Sequence, residues 1–178
     1  VLAAIEDGAQ LAPHTPLGRV PVLVLEDDET LIDSAAIIDH ILEIGDPTHA
    51  LLPAMGHDRR RVQYLCAIAT GAMEKGVASS YERFQRPREL IHGPWLDRLF
   101  DQARRGLAAL EAALGECDWL HGDAMTLADI YAVVLYDFMQ IIDLPRLAET
   151  APCTLPALSE RLNALPAFRD HRFIPATD

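Results

Sequence analysis

One short stretch, GRVPVLVLEDDETLIDSAAIIDHI from Gly18 to Ile41, constrains the fold more than any other. VPVLVL is brief and rich in β-branched residues, and Pro21 stands near its head, where a strand tolerates the missing N–H. The acidic run EDDE joins it to TLI, and two short apolar runs across a turn predict a β-hairpin. Asp33 and Ser34 then open a helix on which Ile37, Ile41 and Ile44 recur at helical spacing, with Gly45 as its stop. The order is strand, strand, helix.

Around this nucleus the text is uneven. VLAAI at the start reads as the end of a strand, and DGAQLAPHTPLG, with its prolines and glycines, as a loop. DPTHALLPAMGHD, from Asp46 to Asp58, has turn-forming residues and no periodicity, so it predicts an inter-domain linker, with one domain over 1–53 and a second over 54–178. The second domain is helical throughout. Val62, Leu65, Ile68, Ala69, Ala72 and Met73 mark a helix over about 57–84, where Gly71 and Gly76 predict the close approach of another backbone or of a ligand. Beyond a loop at Arg86–Pro87, Leu96, Leu99, Ala103, Leu107, Leu110 and Leu114 form an amphipathic stripe over about 94–115. Thr126 and Asp129 have the spacing of a capping box, which makes the Asp129 carboxylate structural rather than catalytic. Pro156 opens a last short helix and Pro166 closes it.

Charge excludes some functions. With 27 acidic residues against 15 basic ones, a net charge of -12 argues against nucleic acid or an anionic membrane surface as a partner. No apolar run reaches the roughly 18 to 20 residues that cross a bilayer. Three widely spaced cysteines fit a reducing compartment, the cytoplasm, better than a disulfide framework, and Cys66 falls in an apolar helical pattern as a buried small hydrophobe. The 7 histidines never fall at HxxxH or HxH spacing and no CxxC occurs, so no metal site is expected.

The start of the helix at Asp33–Ser34 carries chemistry. Free N–H groups and the positive dipole end favour a carboxylate, Ser34 adds a hydroxyl, and Asp33 favours a cation. Together they suit the zwitterionic end of an amino acid; the same pair also serves as a plain helix cap, and the residues alone leave both readings open. A cis Val20–Pro21 bond would turn the Val20 N–H and C=O outward to pair with a peptide ligand, as an added strand does. A short peptide with a free amino-acid end, such as glutathione, meets both conditions.

Three strings in order, TPLGRVPVL, DSAAII and GDAMTLADI, resemble the glutathione transferase family, and ATGAMEKG followed by ERFQRP resembles a bacterial, cytosolic subgroup of it. The resemblance implies a thioredoxin-like N-terminal domain (α/β), partial here because its first strand and helix are absent, followed by an all-helical C-terminal domain. It implies that Pro21 is cis, that the Val20 backbone pairs with the cysteinyl part of glutathione, and that Asp33 and Ser34 hold the γ-glutamyl end. Asp33 replaces the commoner Glu. Arg19 is placed to meet the glycyl carboxylate. The implied activity is conjugation of the glutathione thiol to a small electrophile, as in detoxification, by a homodimer. The thiol-activating Tyr, Ser or Cys is expected in the absent N-terminal segment. Met73, Val77, Tyr81 and Phe84 are candidates for the second-substrate pocket, with core packing as the plainer alternative, and Arg83 and Arg86 are candidates for an acidic substrate or for solvent. A non-catalytic binding or assembly module and a Cys-type thiol transferase or reductase are the rival readings.

Overall fold

A computed structural model of the chain describes residues 8–147 and 154–171, and its contacts divide it into two compact units between Leu51 and Leu52. The stretch VLAAI, and with it the expected strand end, lies outside the described residues. Among the described residues no helix is long and apolar enough to cross a membrane.

In the first unit, part of the expected loop is helical. Gly8–Leu11 form a single turn, α1, closed by the amides of His14 and Thr15 on the Leu11 carbonyl at 2.9 and 3.0 Å. The turn outcompetes the loop reading because its four residues, GAQL, precede Pro13 and Pro16, which stop it only afterwards. Gly18 takes a left-handed φ of 58°, which lets the chain swing into Arg19 and Val20. The hairpin is present: β1, Val22–Val24, pairs antiparallel with β2, Thr30–Ile32, in the register Val22↔Ile32, Leu23↔Leu31 and Val24↔Thr30. The Leu25 amide donates to the Glu29 carbonyl at 2.8 Å and the Asp28 amide to the Leu25 carbonyl at 3.1 Å, with Asp28 left-handed at φ 68°. A three-residue hairpin loop needs a left-handed residue at this point, and Asp tolerates it better than most.

Helix α2 spans Ser34–Gly45, with Asp33 as its N-cap. Only Ile37 of its three periodic isoleucines is buried; Ile41 and Ile44 are 49% and 70% exposed. After it, the Asp46 carboxylate accepts the Ala50 and Leu51 amides at 2.9 and 2.8 Å and the Thr48 hydroxyl at 3.2 Å. The turn-rich segment is thus tied down over 46–51. Its last three residues, expected in a linker, already belong to the next helix.

The second unit is built on that helix, α3, Gly56–Phe84. A 3₁₀ turn at Arg88–Leu90 leads to α4, Gly93–Leu114, then come α5, Leu127–Leu147, α6, Leu155–Asn163, and α7, Pro166–Arg169. Helix α3 packs against both α4 and α5, and α6 lies on α5. The stripe of α4 is buried as its period requires, with Phe100 added to it. It meets Val62, Leu65, Ala69 and Ala72 of α3, while Ala132, Leu135 and Met139 of α5 and Leu155, Leu158 and Leu162 of α6 complete the core. Each fully buried leucine contributes about 1.5 to 3 kcal/mol.

The glycines divide differently from the expectation. At Gly76 an added Cβ would meet Met139 Sδ at 2.9 Å, Ile142 Cδ1 at 3.0 Å and Phe138 Cε1 at 3.1 Å, so side chains of α5, not a backbone or ligand, press on it. Gly71 faces open space. The close helix approach is at Gly106 of α4, where a Cβ would lie 2.5 Å from the Ala72 Cβ of α3. Pro166 does not close the last helix; it stands in the first turn of α7, where its missing N–H costs nothing.

Carboxylates join the helices end to end. Glu82, 6% exposed, accepts the amide of His92, the N-cap of α4, at 2.9 Å and the Arg86 Nε at 2.9 Å. Glu111 of α4 accepts the Thr154 amide, the Thr154 hydroxyl at 2.7 Å and the Leu155 amide at 3.0 Å, and so caps α6. Asp129 accepts the Thr126 amide at 2.7 Å, as the capping box requires. The reciprocal half differs: the Thr126 hydroxyl donates to Asp129 at 2.9 Å, and the Asp129 amide bonds to the Thr126 carbonyl at 3.1 Å. The other carboxylate oxygen takes the Leu120 amide at 2.8 Å, pinning the loop before α5.

Candidate functional site

The hairpin assembles the first group of candidates. The pairing ends at Val22 opposite Ile32, so Val20 and Pro21, which lead into β1, and Asp33 and Ser34, which leave β2, lie at one end of the hairpin. The Val20–Pro21 peptide bond is cis, as the resemblance implies. Val20 is 45% exposed, and among the described residues no backbone hydrogen bond involves it. Arg19 is exposed beside it.

Asp33 adopts φ 79° and ψ 137°, a region that L-residues avoid and that costs on the order of 1 to 3 kcal/mol. Its carboxylate accepts the Ala35 amide at 2.9 Å, and its carbonyl accepts the Ile37 amide at 3.1 Å. The carboxylate is exposed and Ser34, the first residue of α2, is partly buried. This corner therefore offers an anion-favouring helix start and a cation-favouring carboxylate within two residues, at the same end of the hairpin as the exposed Val20.

The second group is not gathered around one pocket. Met73, Val77, Tyr81 and Phe84 share one face of α3 at steps of four and three. Met73 lines a cavity of about 940 Å³ formed with α5, α6 and α7, of which the other three are not lining residues. Val77 is partly buried, and Tyr81 and Phe84 are 51% and 69% exposed. Arg83 donates to the Ile142 carbonyl at 3.0 Å, with its guanidinium 5.1 Å from the Phe84 ring centre, and Arg86 pairs with Glu82. Arg83 thus ties α3 to α5, while Arg86 folds back on the end of α3. The His92 amide, and after it Arg86, hold the Glu82 carboxyl below the usual range against the opposing effect of burial.

Cys66 is buried, and burial, with Asp129 adding to it, pushes its thiol up to about 12. It stays protonated at neutral pH and is no nucleophile. Cys117 is exposed, and Cys153 lies outside the described residues. The sequence reading missed Glu82, Glu111 and Asp137 as ties between helices, since an acid on a helix has no sequence signal that separates a solvated role from a distant cap. Among the described residues no group of His, Cys, Asp and Glu could hold a metal ion.

Comparison with known proteins agrees with both units. A model of the glutathione S-transferase N-terminal domain matches residues 3–44, and one of the C-terminal domain of the same family matches residues 91–166. An uncharacterized GST-like protein of Escherichia coli, YibF, is 35% identical over 120 residues, 67% of this chain and 58% of that protein. A maleylacetoacetate isomerase of Pseudomonas aeruginosa is 33% identical over 122 residues, 66% of this chain and 55% of the relative, so the matches span little more than half the length of either protein. Among solved structures, a glutathione S-transferase of Methylobacterium radiotolerans in complex with glutathione sulfonate superposes with a TM-score of 0.87 at 29% identity, covering 99% of this chain and 84% of that one. One from Methylobacillus flagellatus with glutathione bound gives 0.85 at 26% identity, covering 96% and 84%. By its two domain matches, its relatives and its fold, the chain belongs to the glutathione transferase family.

Proposed function

We propose that this chain binds glutathione at the Val20–Ser34 corner and conjugates its thiol to a small electrophile. The Val20 N–H and C=O pair with the cysteinyl part, the Ser34 hydroxyl and the α2 amides take the γ-glutamyl carboxylate, the Asp33 carboxylate takes the ammonium, and Arg19 meets the glycyl carboxylate. Once the thiol has lost its proton, the sulfur attacks the electrophilic carbon, a carbon–sulfur bond forms, and the leaving group departs with its electron pair. The apolar face of α3 from Met73 through Val77 and Tyr81 to Phe84 is the surface for that electrophile. The reading extends to domains at 1–53 and 54–178, to a homodimer, and to the cytoplasm, where a buried, protonated Cys66 suits a reducing medium.

The observation that carries this reading is Asp33, held in an avoided backbone conformation at the mouth of α2 while its carboxylate stays exposed. Such strain concentrates where a ligand is bound. Solved relatives that hold glutathione or glutathione sulfonate at 26% and 29% identity support the choice of ligand. Calorimetric titration with glutathione tests it. Each charge-assisted hydrogen bond is worth about 1.5 to 3 kcal/mol, so Ser34→Ala and Asp33→Ala should each weaken binding roughly ten- to a hundredfold. Unchanged affinity in both variants would remove the assignment.

A further inference from the structure

The cavity in the second unit has a composition suited to a different ligand. Its volume of about 940 Å³ lies at the upper end of small-molecule sites, which run from roughly 300 to 1,000 Å³. Tyr136, Phe138 and Phe168 supply aromatic surface, and Val134 and Ile141 supply aliphatic wall. One side is polar and carries a charge. Asp137 Oδ1 accepts the Ser159 hydroxyl at 2.6 Å, Oδ2 accepts the Asn163 amide nitrogen at 2.8 Å, and that nitrogen also reaches the Ser159 hydroxyl at 3.0 Å.

Two neutral donors hold the carboxylate in place without supplying a counter-charge. A carboxylate has about four lone-pair sites, so each oxygen keeps capacity for a further donor. Among the described residues that line the cavity there is no lysine or arginine, and His171 is the one basic side chain. The negative field is felt nearby: burial first, then Asp137 and Glu111, push the Tyr136 phenol upward. An anion entering this space would be repelled, and a neutral hydrocarbon would leave the remaining acceptor capacity of the carboxylate unused.

We propose that this cavity binds an aromatic amine in its cationic form, with the ring among Tyr136, Phe138 and Phe168 and the ammonium toward Asp137. Cation–aromatic attraction adds to the ion pair in such a setting, because the faces of the rings carry negative quadrupole charge. The site shares no residue with the glutathione corner: among the described residues, its lining belongs to the second unit.

Calorimetry on the whole chain near physiological salt, with 1-naphthylmethylamine and 1-naphthylacetate, compares one ring system carrying opposite charges. The amine is expected to bind one to one, and the acid at least about tenfold more weakly, equivalent to about 1.4 kcal/mol. Saturating glutathione should leave the amine affinity unchanged. Val134 is 50% exposed at the cavity wall, so Val134→Trp should fill the space and reduce amine affinity at least about tenfold while the melting temperature holds. Asp137→Asn should bring the two ligands closer in affinity; if that variant fails to fold, Val134→Trp decides alone. Absence of amine binding up to about millimolar concentration, equal affinities for the two ligands, displacement by glutathione, or amine binding indifferent to Val134→Trp would each overturn the proposal.

Discussion

Replacing Asp129 by alanine should be among the most damaging single changes in the second unit. Asp129 is 0% exposed and accepts three donors: the Leu120 amide, the Thr126 amide and the Thr126 hydroxyl. Alanine removes every acceptor at once. The hydroxyl can rotate to another partner, but the two amides cannot turn, and each buried donor left unsatisfied costs about 1 to 3 kcal/mol. The sum for the two amides is about 2 to 6 kcal/mol, at or above the roughly 0.5 to 2 kcal/mol of an ordinary cap, because the same carboxylate also pins the loop that enters α5. Against a typical total of about 5 to 15 kcal/mol, that is a large share. At about 2 to 4 °C per kcal/mol for a chain of this size, the melting temperature should fall by roughly 10 °C. Thermal unfolding followed by far-ultraviolet circular dichroism gives the value directly, with glutathione binding of the folded fraction as a control for local damage. A shift of no more than about 2 °C would mean that water or a neighbouring group replaces the carboxylate, and the argument from unsatisfied amides would fail.

Gly106→Ala should destabilise the protein by about 1 to 3 kcal/mol, since its Cβ would come within 2.5 Å of the Ala72 Cβ, whereas Gly71→Ala, facing open space in the same bundle, should gain roughly 0.5 to 1 kcal/mol from helix propensity; urea unfolding of both variants checks the contrast in sign. Glu82 has a depressed carboxyl pKa, so its contribution to stability is present above its ordinary value of 4.5 and is lost as pH falls through the lower folded value. Melting temperatures measured down through pH 4 should therefore fall more steeply for the natural chain than for Glu82→Gln, and parallel curves would refute that reading. Light scattering at micromolar concentration should give twice the chain mass if the long helices pair about a two-fold axis, and a monomer mass holding across salt concentrations would remove the dimer.

Periodicity made the second unit legible. The leucines of α4 at steps of three and four are the ones the structure buries, and α3 runs as the spacing predicts because few positions compete with its apolar stripe. The hairpin was legible for the same reason, two β-branched runs across a turn. The helical turn at Gly8–Leu11 was not, because four residues are too few to show a period and the surrounding prolines and glycines read as loop. Gly106 was missed while Gly71 was singled out: a glycine's neighbours across a helix interface depend on the rotation of two helices, which local sequence does not record. At the proposed glutathione corner, Asp33 and Ser34 were visible as residue types, but their place at the same end of the hairpin as Val20 follows from the strand pairing, and the strain at Asp33 only from its backbone angles. The carboxylates that bridge helices lay beyond sequence reading, since their partners stand ten to more than forty positions away.

The cap that Glu111 places on α6 has a consequence for how this chain can change over generations. A helix usually takes its starting point from the residue just before it, so an insertion or deletion upstream can shift where it begins. Here Thr154 and Leu155 are registered by a side chain 43 and 44 positions earlier, on a helix already fixed in the core. The start of α6 is therefore set by α4 and not by the length of the connection that leads to it. Variation in that connection should be tolerated with α6 beginning at the same residue, and its seat on α5 is inherited along with Glu111.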